Sequence, residues 1–196
     1  MKKNTTGGPF SPSYEMNWFS PGYEIHDEGS NMTDTYRNES EFRLPRYEEI
    51  PNVGLFLEQV SKYINEILSP LGEADLTGSM ISNYVKKDII DNPVKKQYNR
   101  DQIAYLIYIA LAKTVLSLDD INIMIKMQKE VCDTKTAYEY FREEFPTILD
   151  AVFDNKDISA HPADSQNIKK LSRNVSITIA HKIYLDNTFS NIKSDS

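Results

Sequence analysis

The run Ile103–Ala112, IAYLIYIALA, constrains this chain more than any other stretch. It holds ten residues with no polar side chain other than two tyrosine hydroxyls. A membrane span needs roughly 18 or more apolar residues, so the run reads as a helix buried inside a protein. Three helix starts are written around it. Asn99 can cap a helix whose third residue is Gln102, with Tyr98 and Ile103 placed to close a hydrophobic staple. Ser117 repeats the device with Asp120, and Leu116 faces Ile121. Thr77 can cap an earlier helix, with Leu76 set against Ile81. Between the first two helices lies a short basic segment, Asp91 to Tyr98, holding Pro93, Lys95 and Lys96. Capped helix, small basic loop or hairpin, buried helix and second capped helix follow in the order of a winged helix-turn-helix.

Charge distribution sharpens that reading. The chain carries 22 Lys and Arg against 29 Asp and Glu, a net charge of −7. A uniformly basic nucleic-acid binder is therefore excluded. From Leu76 to Gln102, however, Lys86, Lys87, Lys95, Lys96 and Arg100 outnumber Asp88, Asp91 and Asp101, a local balance of +2 that leaves −9 elsewhere. The net-basic stretch coincides with the expected reading head, as phosphate attraction requires. In the helix after Thr77, Met80, Ile81, Tyr84 and Val85 suit an inner face. Ser79, Ser82, Asn83, Lys86 and Lys87 remain for the outer one. Serine and asparagine are poor helix formers, but they are good partners for phosphates and base edges. Tyr84 can either give its hydroxyl to a phosphate or serve as a core ring. Lys95, Lys96 and Gln97 would reach phosphates beside the groove, with Arg100 at the next helix start.

The stretch Thr77–Ile125 resembles the DNA-binding domain of the MerR family of bacterial transcription regulators. Thr77 falls at that family's cap and Tyr84 on the second of its aromatic pair. Ile89-Ile90 falls on its hydrophobic step, Pro93 on the start of the wing and Tyr98 on its end. Leu116-Ser117-Leu118-Asp119-Asp120-Ile121 falls on the last helix start. The family's basic residue is Ser82 here, its first aromatic is Asn83, its glycine after the helix is Asp88, and the wing is shorter. A larger segment, Leu44 to about Asp133, opens with LPRYEEIP. It is similar to a set of bacterial proteins known only as a conserved domain of unknown function and regarded as MerR-like. The resemblance implies an all-α, MerR-like winged helix-turn-helix with a minimal wing. It also implies dimers that read an inverted repeat in double-stranded DNA.

Elsewhere the chain divides by texture. Residues 1–42 are rich in Pro, Gly, Ser, Asn and Thr and lack periodicity, so they read as a flexible tail. Spaced aromatics centred on Trp18-Phe19 offer a second reading of that tail, as a strip docking to a protein partner. Pro45 and Pro51 bias the segment between them away from regular helix. Val53–Leu68 carries a helical stripe of Val53, Phe56, Leu57, Val60, Ile64, Ile67 and Leu68. Residues 43–133 form the expected helix-turn-helix domain, and 134–190 a helical extension of the same globule. In the extension, Thr134–Phe153 forms one helix with Pro146 kinking or restarting it. A loop holds His161-Pro162, and Gln166–Phe189 forms a broadly apolar helix suited to a homodimer.

Several chemistries are excluded. One cysteine, Cys132, allows neither an internal disulfide nor a paired-thiolate metal site. His26, His161 and His181 are far apart, and no phosphate loop, nucleophile elbow or zinc motif is present. The chain is read as a non-enzyme with no metal and no cofactor. With no membrane segment and no secretion signal after Met1-Lys2-Lys3, a cytoplasmic location is expected. The leading expectation is a DNA-binding transcription regulator. Its rival is a protein-interaction adaptor that keeps the fold without operator binding. A small-molecule sensor with a pocket among the C-terminal helices is the third.

Overall fold

The fold is helical and centred on the apolar run. A computed structural model describes residues 42–72, 75–158 and 167–194. We number its helices α1 (Leu57–Leu68), α2 (Gly78–Lys86), α3 (Arg100–Ala112), α4 (Leu118–Val131), α5 (Thr134–Phe153) and α6 (Asn167–Ser194). Nine of the thirteen residues of α3 are buried, among them Ile103, Leu106, Ile107 and Ile109. A helix buried all round must be covered on several sides, and α3 packs against α1, α5 and α6.

The helix starts are built from local side-chain chemistry. The backbone N–H of Gln102 donates to Asn99 Oδ1 at 2.9 Å, and that of Asn99 donates to Gln102 Oε1 at 2.8 Å. This reciprocal pair satisfies two donors that a helix start otherwise leaves open. The Gln102 amide also reaches the Asp91 carbonyl at 2.7 Å, so one residue both caps α3 and holds the preceding loop. Ser117 Oγ accepts from the Asp120 N–H and donates to the Asp120 carboxylate at 2.6 Å. Thr77 Oγ1 accepts from Met80 N–H at 3.3 Å, capping α2. Asp133 caps α5 by accepting from Thr136 N–H at 2.7 Å, which holds its carboxyl below the usual range.

The first expected helix begins four residues late. Gly54 has a φ of +75°, and Leu55–Phe56 forms a strand, β1. It pairs antiparallel with β2, Gln97–Tyr98, in the register Leu55 to Tyr98 and Phe56 to Gln97. Val53 and Phe56 therefore leave the inner stripe and are exposed, while Val60, Ile64 and Leu68 are fully buried as their spacing requires. A Cβ on Gly54 would lie 3.1 Å from Cβ of Gln97, so the sheet also needs the missing side chain there.

Helix α1 fixes where α2 begins. The Asn65 side chain accepts from Leu76 N–H at 2.9 Å and donates to the Leu76 carbonyl at 3.2 Å, and the Ser61 hydroxyl donates to the same carbonyl. Leu76 is completely buried, one residue before the cap. Before α1, the segment bracketed by the prolines makes a single 3-10 turn, Tyr47–Glu49. Phe42, assigned to the tail by composition, is instead a core residue packed edge-on against Phe145. The remainder of the expected tail, with Trp18-Phe19, lies outside the described residues, as does His161-Pro162.

Helix α5 runs unbroken past Pro146 and α6 continues to Ser194, beyond the expected end at Phe189. No helix among the described residues is long and apolar enough to cross a membrane.

Several tyrosines couple this packing to pH. The Tyr47 phenol is pushed up to about 12 by burial and by its 2.5 Å bond to the Asp101 carboxylate. Burial also pushes Tyr108 and Tyr138 well up. These phenols lose their protons in the unfolded chain near 10 but keep them in the fold. The unfolded state therefore binds fewer protons, and stability must fall as pH rises from 10 toward 12. Denaturant melts over that range, with phenolate absorbance followed in parallel, check the slope. A flat profile would mean that these hydroxyls are solvated.

Candidate nucleic-acid interface

Helix α2 buries Ile81 and Tyr84 and leaves Ser79, Ser82, Asn83, Lys86 and Lys87 exposed. The Ser82 hydroxyl donates back to the Gly78 carbonyl at 2.9 Å, and those of Ser79 and Thr77 share a bond of 2.9 Å. The Asn83 amide has no hydrogen bond among the described residues. Tyr84 is 2% exposed and burial pushes its phenol up, so it is a core ring.

The end of α2 is a tight reversal. Ile89 N–H donates to the Tyr84 carbonyl and Asp88 N–H to that of Val85, both at 3.0 Å. Asp88, between them, has a φ of +54°. This is the Schellman arrangement, in which a left-handed residue closes the helix. Asp88 thus does the work for which glycine is usual. The turn buries Ile89 and Ile90 and releases the chain into the basic segment.

That segment makes a hairpin. Gln97 N–H donates to the Val94 carbonyl at 2.9 Å, and the two residues form an antiparallel bridge. The two residues between them, Lys95 and Lys96, have φ values of +51° and +65°. Two successive left-handed residues define the type I′ pattern, which Asn-Gly adopts readily and lysine does not. Both lysines are exposed, and neither they nor Lys86 and Lys87 form an ion pair among the described residues. The nearby Asp91 carboxylate is 3.9 Å from Lys129 instead.

Two expected contacts are placed elsewhere. Gln97 is half-buried in β2, between Val94 and Phe56 across the strands. Arg100 turns away from the hairpin. Its Nε donates to the Ile50 carbonyl at 2.8 Å and its Nη2 to the Glu48 carbonyl at 3.0 Å, and its guanidinium lies 5.3 Å from the Tyr47 ring centre. It ties the 3-10 turn to α3. Lysine lacks the planar fork needed for this. Arg100→Lys is expected to cost about 1–2 kcal/mol and to raise hydrogen exchange at the Ile50 amide. Unchanged exchange there would remove this role.

Sequence reasoning missed Lys113, at the end of α3. Its ammonium lies 3.4 Å from the Asp75 carbonyl and 3.8 Å from Sδ of Met80 on α2, and burial lowers its pKa. The signal was hidden because its neighbours Met80 and Asp75 are 33 and 38 residues away in sequence. No cluster of metal-ligating side chains occurs among the described residues.

This arrangement lies inside a known sequence unit. A DUF1836 domain, a domain of unknown function, spans residues 45–141. It takes in the 3-10 turn, the two-stranded sheet, α1 to α4 and the first part of α5, and it leaves α6 outside. The DUF1836 domain therefore contains every residue of the candidate interface. No curated protein and no solved structure matches the chain.

Proposed function

We propose that the DUF1836 domain binds duplex DNA through α2 and the Val94–Gln97 hairpin, as a winged helix-turn-helix transcription regulator of bacterial, MerR-like type. The observation that carries this reading is the hairpin tip. Two lysines occupy left-handed positions that asparagine and glycine fill at lower cost, and both ammonium groups stand exposed without an acidic partner among the described residues. Strained residues kept where easier ones exist point to function. The element order supports it: β1, α1, α2, hairpin with β2, then α3. In this role Lys86, Lys87, Lys95 and Lys96 neutralise phosphates, and Ser79, Ser82 and Asn83 meet base edges or backbone. A dimer belongs to the same reading, with Leu185 and Phe189 of α6 exposed for a second copy.

Binding to pooled random duplex DNA across a salt series tests the proposal. Four phosphate contacts give a log–log slope of about −3.6, and Lys86→Ala/Lys95→Ala/Lys96→Ala should flatten it by about 2.7. No binding at low salt sinks it.

A second reading is favoured by the outer face of the sheet. Val94, Gln97 and Phe56 form one cross-strand row, and Val94 and Phe56 are 72% and 51% exposed, with Val53 at 84% nearby in sequence. Apolar side chains beside the lysines suit a protein partner better than a phosphate backbone. Under this adaptor reading DNA binding is absent, and Phe56→Ser/Val94→Ser abolishes capture of the partner.

A further inference from the structure

Helices α3, α4, α5 and α6 line a pocket of about 80 Å³, open on one side, with no charged side chain in its wall among the described residues. Aromatic surface from Tyr105, Tyr108 and Phe141 dominates it, with Met124 and Ile125 opposite. The ring of Tyr108 meets that of Phe141 edge-on at 5.2 Å.

Its polar groups divide into two kinds. At one corner the Tyr105 hydroxyl donates to Gln128 Oε1 at 2.7 Å and accepts from the Thr134 hydroxyl at 3.3 Å. The Gln128 amide nitrogen is held by the Cys132 carbonyl at 2.7 Å. That corner is already satisfied. The Tyr108 hydroxyl is different, because its hydrogen goes only to Sδ of Met124, at 3.4 Å. A thioether is a weak acceptor, and among the described residues no donor reaches the phenol oxygen. A half-buried hydroxyl with so poor a partner calls for an explanation.

Water is a poor occupant, since it would find the open hydroxyls of Tyr108 and the half-buried Ser172, short of the about three hydrogen bonds a buried water makes. Charged molecules are disfavoured, since no described residue of the wall would pair with them. The volume is well above the roughly 10–15 Å³ one water needs, and because the pocket is open on one side, a ring that would need ~150 Å³ in a sealed cavity can enter part-way. We propose that this cavity binds a neutral molecule of about five to seven non-hydrogen atoms, a single ring or short branched chain, whose one hydroxyl pairs with Tyr108. The rings supply the apolar contact, and Tyr108 exchanges a sulfur acceptor for an oxygen.

Phenol is the first probe, with toluene lacking the hydroxyl and benzoate carrying a charge. Ligand-detected NMR and thermal melting of the full chain should show saturable phenol binding at low-millimolar concentration and none of benzoate. Tyr108→Phe removes only the hydroxyl and should weaken phenol roughly five- to tenfold while leaving toluene unchanged. Ala137→Leu fills the cavity and should abolish both. Absence of saturable phenol binding by the native chain overturns the proposal, as does binding that both variants leave intact. If Ala137→Leu fails to fold, the phenol-to-toluene ratio in Tyr108→Phe decides alone.

Discussion

Phe145→Ala is expected to cost about 3–5 kcal/mol, the range for removing a buried aromatic ring. Phe145 is fully buried in α5, stacked on Phe141 at 5.3 Å and met edge-on by Phe42 at 6.2 Å. Phe141 in turn meets Tyr108 of α3. The ring therefore joins the segment before α1, the central helix and α5. Its loss leaves a cavity that three separate elements would have to close together, and helices pinned by caps at their starts cannot collapse freely. Urea melts should show a lower midpoint at unchanged slope, and the Tm should fall by about 6–20 °C for a chain of this size. A cost below about 1 kcal/mol would mean that α5 does not unfold with the rest.

That prediction depends on packing that the sequence shows only in part. The helix starts at Thr77, Asn99 and Ser117 were legible because a cap and its partner sit three residues apart. The position of α3 at the centre was legible too, since no other burial suits Ile103–Ala112. Non-local partners were not. Arg100 reads as a phosphate contact beside a basic loop, yet the carbonyls it binds lie 50 and 52 residues away. Val53 and Phe56 fit a helical stripe, but the turn at Gly54 and the pairing of Leu55–Phe56 with Gln97 and Tyr98 put Phe56 in a strand and leave Val53 in the bend before it. Asp88 departs from glycine in sequence and still takes the left-handed φ, because its short side chain tolerates that region. Of the candidate site, the exposure of the four lysines was legible from polarity. The type I′ turn was not, since Lys-Lys carries none of the chemistry that normally announces one.

The double substitution Lys95→Asn/Lys96→Gly uses that mismatch. It should stabilise the fold by about 1–2 kcal/mol, because each lysine pays a steric penalty for its left-handed backbone that asparagine reduces and glycine avoids. The turn bond from Gln97 N–H to the Val94 carbonyl and the pairing of β1 with β2 need no change. In the same protein DNA affinity should fall, and the salt dependence should flatten by about 1.8 as two phosphate contacts are lost. Opposite signs matter here. A general loss of structure would lower stability and binding together, whereas this pair separates them. Stability raised with DNA binding intact would show that the two turn lysines do not face phosphate, and the contact would then rest on α2 alone. No gain in stability would show that the turn holds lysine at no cost, and the hairpin tip would lose its claim to mark the site.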